Sequence, residues 1–162
     1  MNVLAAPRAV AGGWLKQPPG LAVLFLTQMW EIFSYYGMRT LLVYYMTKQL
    51  HFGQQHASLV YGVYIATFYF TPIVGGVVSD RWLGRKRSVI IGAAIMSLGH
   101  FLMAFDASFL LALLCLVLGT GCFKGNIASQ VGGLYGEGDL RRADAFQIFY
   151  LGINAGVIAA PL

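Results

Sequence analysis

The chain has 162 residues, of which 58% are hydrophobic and only 10% charged, and its mean hydropathy is +0.68. A water-soluble domain carries about 25% charged residues; this composition excludes a soluble enzyme, a disordered tail and a disulfide scaffold, and points to an integral membrane protein. The formal charge of +5 does not signal a nucleic-acid partner, because the basic residues sit in short clusters between apolar segments, as membrane topology arranges them.

Residues 1–20 form a polar arm with Arg8, Lys16 and the break Pro18-Pro19-Gly20, without the apolar core of a signal peptide. Apolar spans are predicted at about residues 21–46, 58–78, 88–105, 109–131 and 144–162, and the last is still apolar at Leu162. Each is long enough for a helix through a ~30 Å hydrocarbon core, and the absence of strand alternation excludes a β-barrel. The breaks are the segment Ser79-Asp80-Arg81-Trp82-Leu83-Gly84-Arg85-Lys86-Arg87, a very short turn at Asp106-Ala107, and a glycine-rich loop from Gly132 to Arg142. The expected class is an all-α membrane protein with about five transmembrane helices. Placing the N-terminus in the cytoplasm puts Arg8, Lys16, Arg81, Arg85, Lys86, Arg87, Arg141 and Arg142 inside and Lys48 alone outside, a strong positive-inside bias. Cys115 and Cys122 lie about 10 Å apart on a helix, too far for a disulfide.

Three charged residues fall inside the spans: Glu31, Arg39 and Lys124. Charges in a membrane helix are costly and face a partner or a water-filled cavity. On the first helix Gln28, Glu31, Tyr35 and Arg39 share a stripe about 80° wide, with Tyr36 at its edge. The bland reading is a salt bridge that only fixes packing; acid, base and tyrosines in one stripe favour a hydrophilic cavity.

The fourth span contains Gly119-Thr120-Gly121-Cys122-Phe123-Lys124-Gly125-Asn126. It superficially resembles a nucleotide loop, but Lys124 replaces the third glycine and no strand precedes it, so no nucleotide cofactor is expected. Gly121 and Gly125 form a small-xxx-small pair for helix packing; packing does not explain Lys124. Glu31 lies roughly 15–18 Å and Lys124 roughly 10–13 Å from the cytoplasmic helix ends, a gap a lysine can bridge. In the last span Gly152 and Gly156 suit close packing, and Asn154 is an interhelical hydrogen-bond candidate. His51, His56 and His100 show no metal spacing and no accompanying nucleophile motif, so neither a metal site nor an enzyme is expected.

The run Gly76-x-x-x-Asp80-Arg81 followed by Gly84-Arg85-Lys86-Arg87 resembles the G-x-x-x-D-R-x-G-R-R loop of the major facilitator superfamily, with one extra residue between Arg81 and Gly84. The resemblance implies a cytoplasmic gate built on Gly76, Asp80, Arg81, Gly84 and Arg85, in which Asp80 can accept from arginines and helix-start amides. Three more segments resemble the proton-dependent oligopeptide transporters within that superfamily: Glu31-x-Phe33-x-Tyr35-Tyr36-Gly37, Tyr69-Phe70-Thr71-Pro72, and Phe149-Tyr150-x-x-Ile153-Asn154-x-Gly156. The resemblance covers residues 21–162. It implies the N-terminal half of a major facilitator fold, with substrate held near the midplane between two six-helix halves.

By the same resemblance the function is proton-coupled symport of di- and tripeptides across the cell membrane. Tyr35, Tyr36, Arg39, Tyr69, Lys124 and Asn154 would line the peptide cavity, and Glu31 and Lys124 would be the coupled acid–base pair. The partners would be peptide, protons, the lipid bilayer and the missing C-terminal half of the carrier. The first helix departs from the family pattern E-x-x-E-R-F: Gln28 stands at the first acid position and Ile32 at the arginine. A related carrier of nitrate or an amino-acid derivative therefore stays an alternative, as does a non-transporting membrane interaction fragment. Residues 21–162 are expected to be a partial transmembrane domain truncated in span five, inactive by itself.

Overall fold

The computed structural model describes residues 16–160. The arm through residue 15, with Arg8, and the span end at Pro161 and Leu162 lie outside the described residues. The described residues form five α-helices: α1 (Pro19–Lys48), α2 (Gln54–Val78), α3 (Arg85–Leu102), α4 (Phe109–Gly133) and α5 (Arg141–Ala159). No strand is present among the described residues.

Pro19 opens α1, where its fixed φ favours a helix and its missing N–H costs nothing. With 30 residues α1 is about 45 Å long, enough to cross a bilayer and project beyond it. It ends with Lys48 in its last turn, a cation on the negative end of the helix dipole. Pro72 lies inside α2 and cannot donate to the Phe68 carbonyl four residues earlier. The Thr71 hydroxyl donates to the Thr67 and Phe68 carbonyls at 3.0 and 3.4 Å, which offsets part of that loss.

The segment expected as a sharp break after span two is mostly helical. α2 runs on into a π-helical turn, Ser79–Leu83, closed by a bond from the Gly84 N–H to the Ser79 carbonyl at 2.8 Å. Gly84, with φ of 74°, then turns the chain into α3 two residues before the end of the basic run; a side chain there would be strained. The expected Asp106-Ala107 turn is a 3₁₀ turn, Asp106–Ser108. Asp106 accepts from the Tyr45 hydroxyl at 2.5 Å and from the Gln49 amide at 3.3 Å, tying the end of α1 to the α3–α4 junction. These two donors hold its carboxyl below the usual carboxylate range. The opposite end of the bundle has its own tie. Arg141 pairs with Asp139 at 2.7 Å and donates to the Lys16 carbonyl at 3.1 Å, while the Tyr135 hydroxyl donates to Gln17 at 2.7 Å.

α4 is the central helix and packs on α3 and α2; α5 packs on α1. Glycines make all three seams. A Cβ on Gly92 of α3 would lie 2.7 Å from the Gly119 carbonyl oxygen of α4, and one on Gly75 of α2 would fall onto the Gly121 backbone of α4. Gly152 and Gly156 of α5 meet Phe25, Met29 and Ile32 of α1. Close backbone approach through small residues replaces the hydrophobic drive that lipid cannot supply.

The outside of the bundle is apolar: Val23 and Trp30 on α1, Phe70 and Ile73 on α2, Phe101 on α3, Leu110 on α4 and Ile158 on α5 are all exposed. Water would not tolerate such a surface, and acyl chains would cover it. By length and hydropathy, Gln54–Leu83 and Asp106–Gly133 are long and apolar enough to cross a membrane. α1, α3 and α5 carry polar groups that dilute the same signal, such as Gln28 and Glu31 on α1 and Arg85-Lys86-Arg87 at the start of α3.

Candidate substrate and proton site

The site grows from one unfavourable fact: α1 buries a carboxylate. The Glu31 side chain is 4% exposed, and an ionised carboxylate there needs a cation and hydrogen bonds. Both are present. Lys124 Nζ of α4 lies 3.4 Å from Glu31 Oε1, and Gln28, one turn earlier on α1, donates from Nε2 to Glu31 Oε2 at 2.9 Å. The ammonium also lies 4.5 Å from the Phe68 ring centroid and 5.0 Å from that of Tyr35, so two aromatic faces stabilise its charge. These rings are themselves stacked, 4.1 Å apart and 13° from parallel.

Further along the stripe, the Arg39 Nε donates to the Tyr61 hydroxyl of α2 at 2.8 Å, and the guanidinium lies 5.9 Å from the Tyr36 ring centroid. Tyr36 meets Tyr35 edge-on at 5.2 Å. Tyr69 is exposed and packs edge-on against Phe68 at 5.7 Å, near enough to Tyr35 and Arg39 to interact electrostatically with both. Asn154 stands exposed on α5. The structure thus gathers Glu31, Lys124, Tyr35, Tyr36, Arg39 and Tyr69 around the α1–α2–α4 junction, and carries Asn154 on α5, which packs against α1.

Four contributors escape a reading of charge alone. Tyr61, Tyr64 and Phe68 lie on α2 at spacings of three and four, the helical period that puts side chains on one face. Phe68 holds Lys124, Tyr61 holds Arg39, and Tyr64 is buried beside them. That periodicity was the available signal. Gln28 is the fourth: it stands where the family pattern has an acid and serves as the donor to Glu31.

The basic turn after α2 is more modest. Asp80 accepts from the Arg85 Nε at 3.5 Å, with both side chains more than half exposed; a pair of that kind contributes at most about 1 kcal/mol. The first α3 amide bond goes elsewhere, from the Ser88 N–H to the Gly84 carbonyl at 3.0 Å. Arg81 is exposed, and Gly76 lies against Gly125 of α4. Among the described residues no three His, Cys, Asp or Glu side chains gather as a metal site requires.

The apolar helical bundle thus holds a buried, aromatic-flanked acid–base pair, and ionisable side chains inside membrane helices mark functional sites. The family model described as POT family matches residues 86–162. A di-/tripeptide transporter of Lactococcus lactis subsp. lactis (strain IL1403) is 43% identical over 156 residues, covering 90% of this chain and 31% of the relative. A crystal structure of a peptide transporter POT in complex with sulfate superposes with a TM-score of 0.87 at 40% identity, over 92% of this chain and 32% of that one. A POT family transporter in complex with 5-aminolevulinic acid superposes with a TM-score of 0.85 at 34% identity, over the same shares.

The chain is thus similar, over residues 86–162 and over most of its length in the solved structures, to membrane transporters of the POT family. Its fold is that of the major facilitator type, and it spans about a third of the length of the relatives it matches.

Proposed function

We propose that this chain is part of a carrier that moves di- and tripeptides together with protons across the cell membrane. Lys124 carries the reading: one ammonium is shared between an internal carboxylate, Glu31, and an aromatic cradle. A peptide carboxylate that draws that ammonium away from Glu31 leaves a buried carboxylate without its cation, and such a carboxylate gains proton affinity. Substrate and proton are then coupled, since each binds better when the other is present. Arg39 offers a second cation, and Tyr35, Tyr36, Tyr69 and Asn154 offer hydrogen bonds to a peptide backbone. The remaining length of such a carrier would supply the facing wall. The chain acts in transport and not as an enzyme.

The test is uptake in vesicles by a full-length carrier containing these residues. Inward proton flux is expected to concentrate labelled dipeptide, and Glu31→Gln to abolish accumulation while leaving peptide exchange intact. Accumulation by Glu31→Gln under a pH gradient would place the proton elsewhere. The 5-aminolevulinic acid bound to a structural relative favours a second substrate reading, an amino-acid derivative with its own carboxylate and amine. Concentration of that compound but not of dipeptide would select it.

The same carrier is proposed to sit with its N-terminus in the cytoplasm, which puts the Asp80–Arg87 turn and the α4–α5 loop inside. With Cys115 and Cys122 replaced by alanine, a cysteine at Gln54 is expected to react with an impermeant thiol reagent in intact cells, and one at Gly136 to stay unlabelled. Labelling at Gly136 would reverse the orientation.

A further inference from the structure

We propose that Gln28 is a reversible hydrogen-bond adapter for Glu31, donating to its charged form and accepting from its protonated form. Both residues are almost fully buried, 3% and 6% exposed as whole residues. In the charged form the Gln28 amide nitrogen donates to Glu31 Oε2 at 2.9 Å, while Lys124 faces Oε1. The amide's other end is the telling atom: Gln28 Oε1 is buried with no hydrogen-bond partner among the described residues. A buried carbonyl without a donor carries a desolvation penalty. Turning the amide by 180° breaks no bond at that oxygen and aims it at Glu31 Oε2.

That reversed amide is what a protonated Glu31 needs. A proton on Oε1 would point at an ammonium, which has three donors and no acceptor. A proton on Oε2 points at Gln28. With the amide reversed, the Oε2–H donates to Gln28 Oε1 and Oε1 remains free. The groups facing the carboxyl are Lys124 from α4, Tyr64 from α2, its neighbour Tyr35 on α1, and His100 of α3 across a cleft of about 870 Å³ that Glu31 also lines. Among these groups Lys124 offers only donors, and Gln28 supplies a neutral partner of either polarity one turn away. A glutamate at position 28 would need a proton of its own to do the same. The consequence for transport, that protonation frees Lys124 without stranding the acid, rests on the carrier reading above; the amide reversal does not.

The experiment is infrared difference spectroscopy on the 162-residue chain in lipid nanodiscs, which needs no transport. Glu31 and Glu137 are its only glutamates; with Glu137→Gln, side-chain ¹³C-glutamate reports Glu31 alone. On acidification the Glu31 carboxyl band is expected at the lowered frequency of a hydrogen-bonded O–H. Gln28→Met, which keeps shape and loses both polar atoms, is expected to move it up. In a second sample with unsubstituted Gln28 and ¹³C-amide glutamine, one amide carbonyl band is expected to fall in frequency as Glu31 takes its proton, and to be insensitive to pH in Glu31→Ala. An unmoved carboxyl band in folded Gln28→Met overturns the proposal. So does a pH-insensitive glutamine spectrum in the wild type, which decides the matter if Gln28→Met does not fold. Absence of any Glu31 carboxyl band before helix content is lost overturns it as well, since an acid that takes no proton needs no adapter. Failure of peptide uptake with the bands shifting as expected would sink the carrier reading and leave the adapter standing.

Discussion

Lys124→Ala is expected to abolish peptide uptake by the full-length carrier and to destabilise it. The ammonium is the partner of a side chain only 4% exposed, and breaking a buried pair from one side costs about 3–5 kcal/mol while the remaining charge stays. Glu31 can escape most of that cost by taking a proton, and Gln28 can still bond it. Stability should therefore recover in Lys124→Ala/Glu31→Gln, where no unpaired charge remains. Uptake should not recover, because the cation that would hold the peptide carboxylate is gone. The two measurements, thermal unfolding followed by size-exclusion chromatography and uptake of labelled dipeptide, separate folding from function. Wild-type uptake by Lys124→Ala would mean that the peptide is held elsewhere.

The second large effect is expected at a position with no polar chemistry. Gly75→Ala places a methyl group onto the Gly121 carbonyl and within 2.8 Å of the Cys122 backbone nitrogen. Every atom it meets is backbone, so no side chain can turn aside, and α2 must move away from α4. Overpacking of this kind costs about 1–3 kcal/mol where side chains can yield, and more is expected where they cannot. The shift also drags Phe68 away from Lys124. Gly62→Ala on the same helix meets nothing within 4 Å and should be neutral or slightly stabilising, because alanine favours helix over glycine by about 1 kcal/mol. Comparable melting temperatures for Gly75→Ala and the wild type in detergent would refute the described seam.

Composition and apolar run length suffice to define an all-helical membrane class, because a bilayer leaves few backbone solutions and a helix satisfies its own hydrogen bonds. The motif around Glu31 and Tyr35-Tyr36 and the run from Phe149 to Gly156 carry the likeness to the oligopeptide transporters. Helical period and depth also brought Glu31 and Lys124 within reach of each other on paper, since both follow from residue counting along a regular helix.

What the residues could not disclose in isolation depends on how separate helices meet. The glycines of α4 announce a close contact, but whether Gly121 meets α2 or α3 is set by the crossing geometry; it meets α2, while Gly119 meets α3. Charge patterning marks the Ser79–Arg87 segment as a break, yet α2 continues into it as a π turn to Leu83, because a turn whose Asp80 and Arg81 stand exposed can stay helical until Gly84 adopts its positive φ. Gln28 reads in sequence as an acid lost. Only packing, which buries it one turn from Glu31 with one amide end bonded and the other empty, makes it a working member of the site, because a buried amide is defined by the partner it faces and not by the charge it lacks.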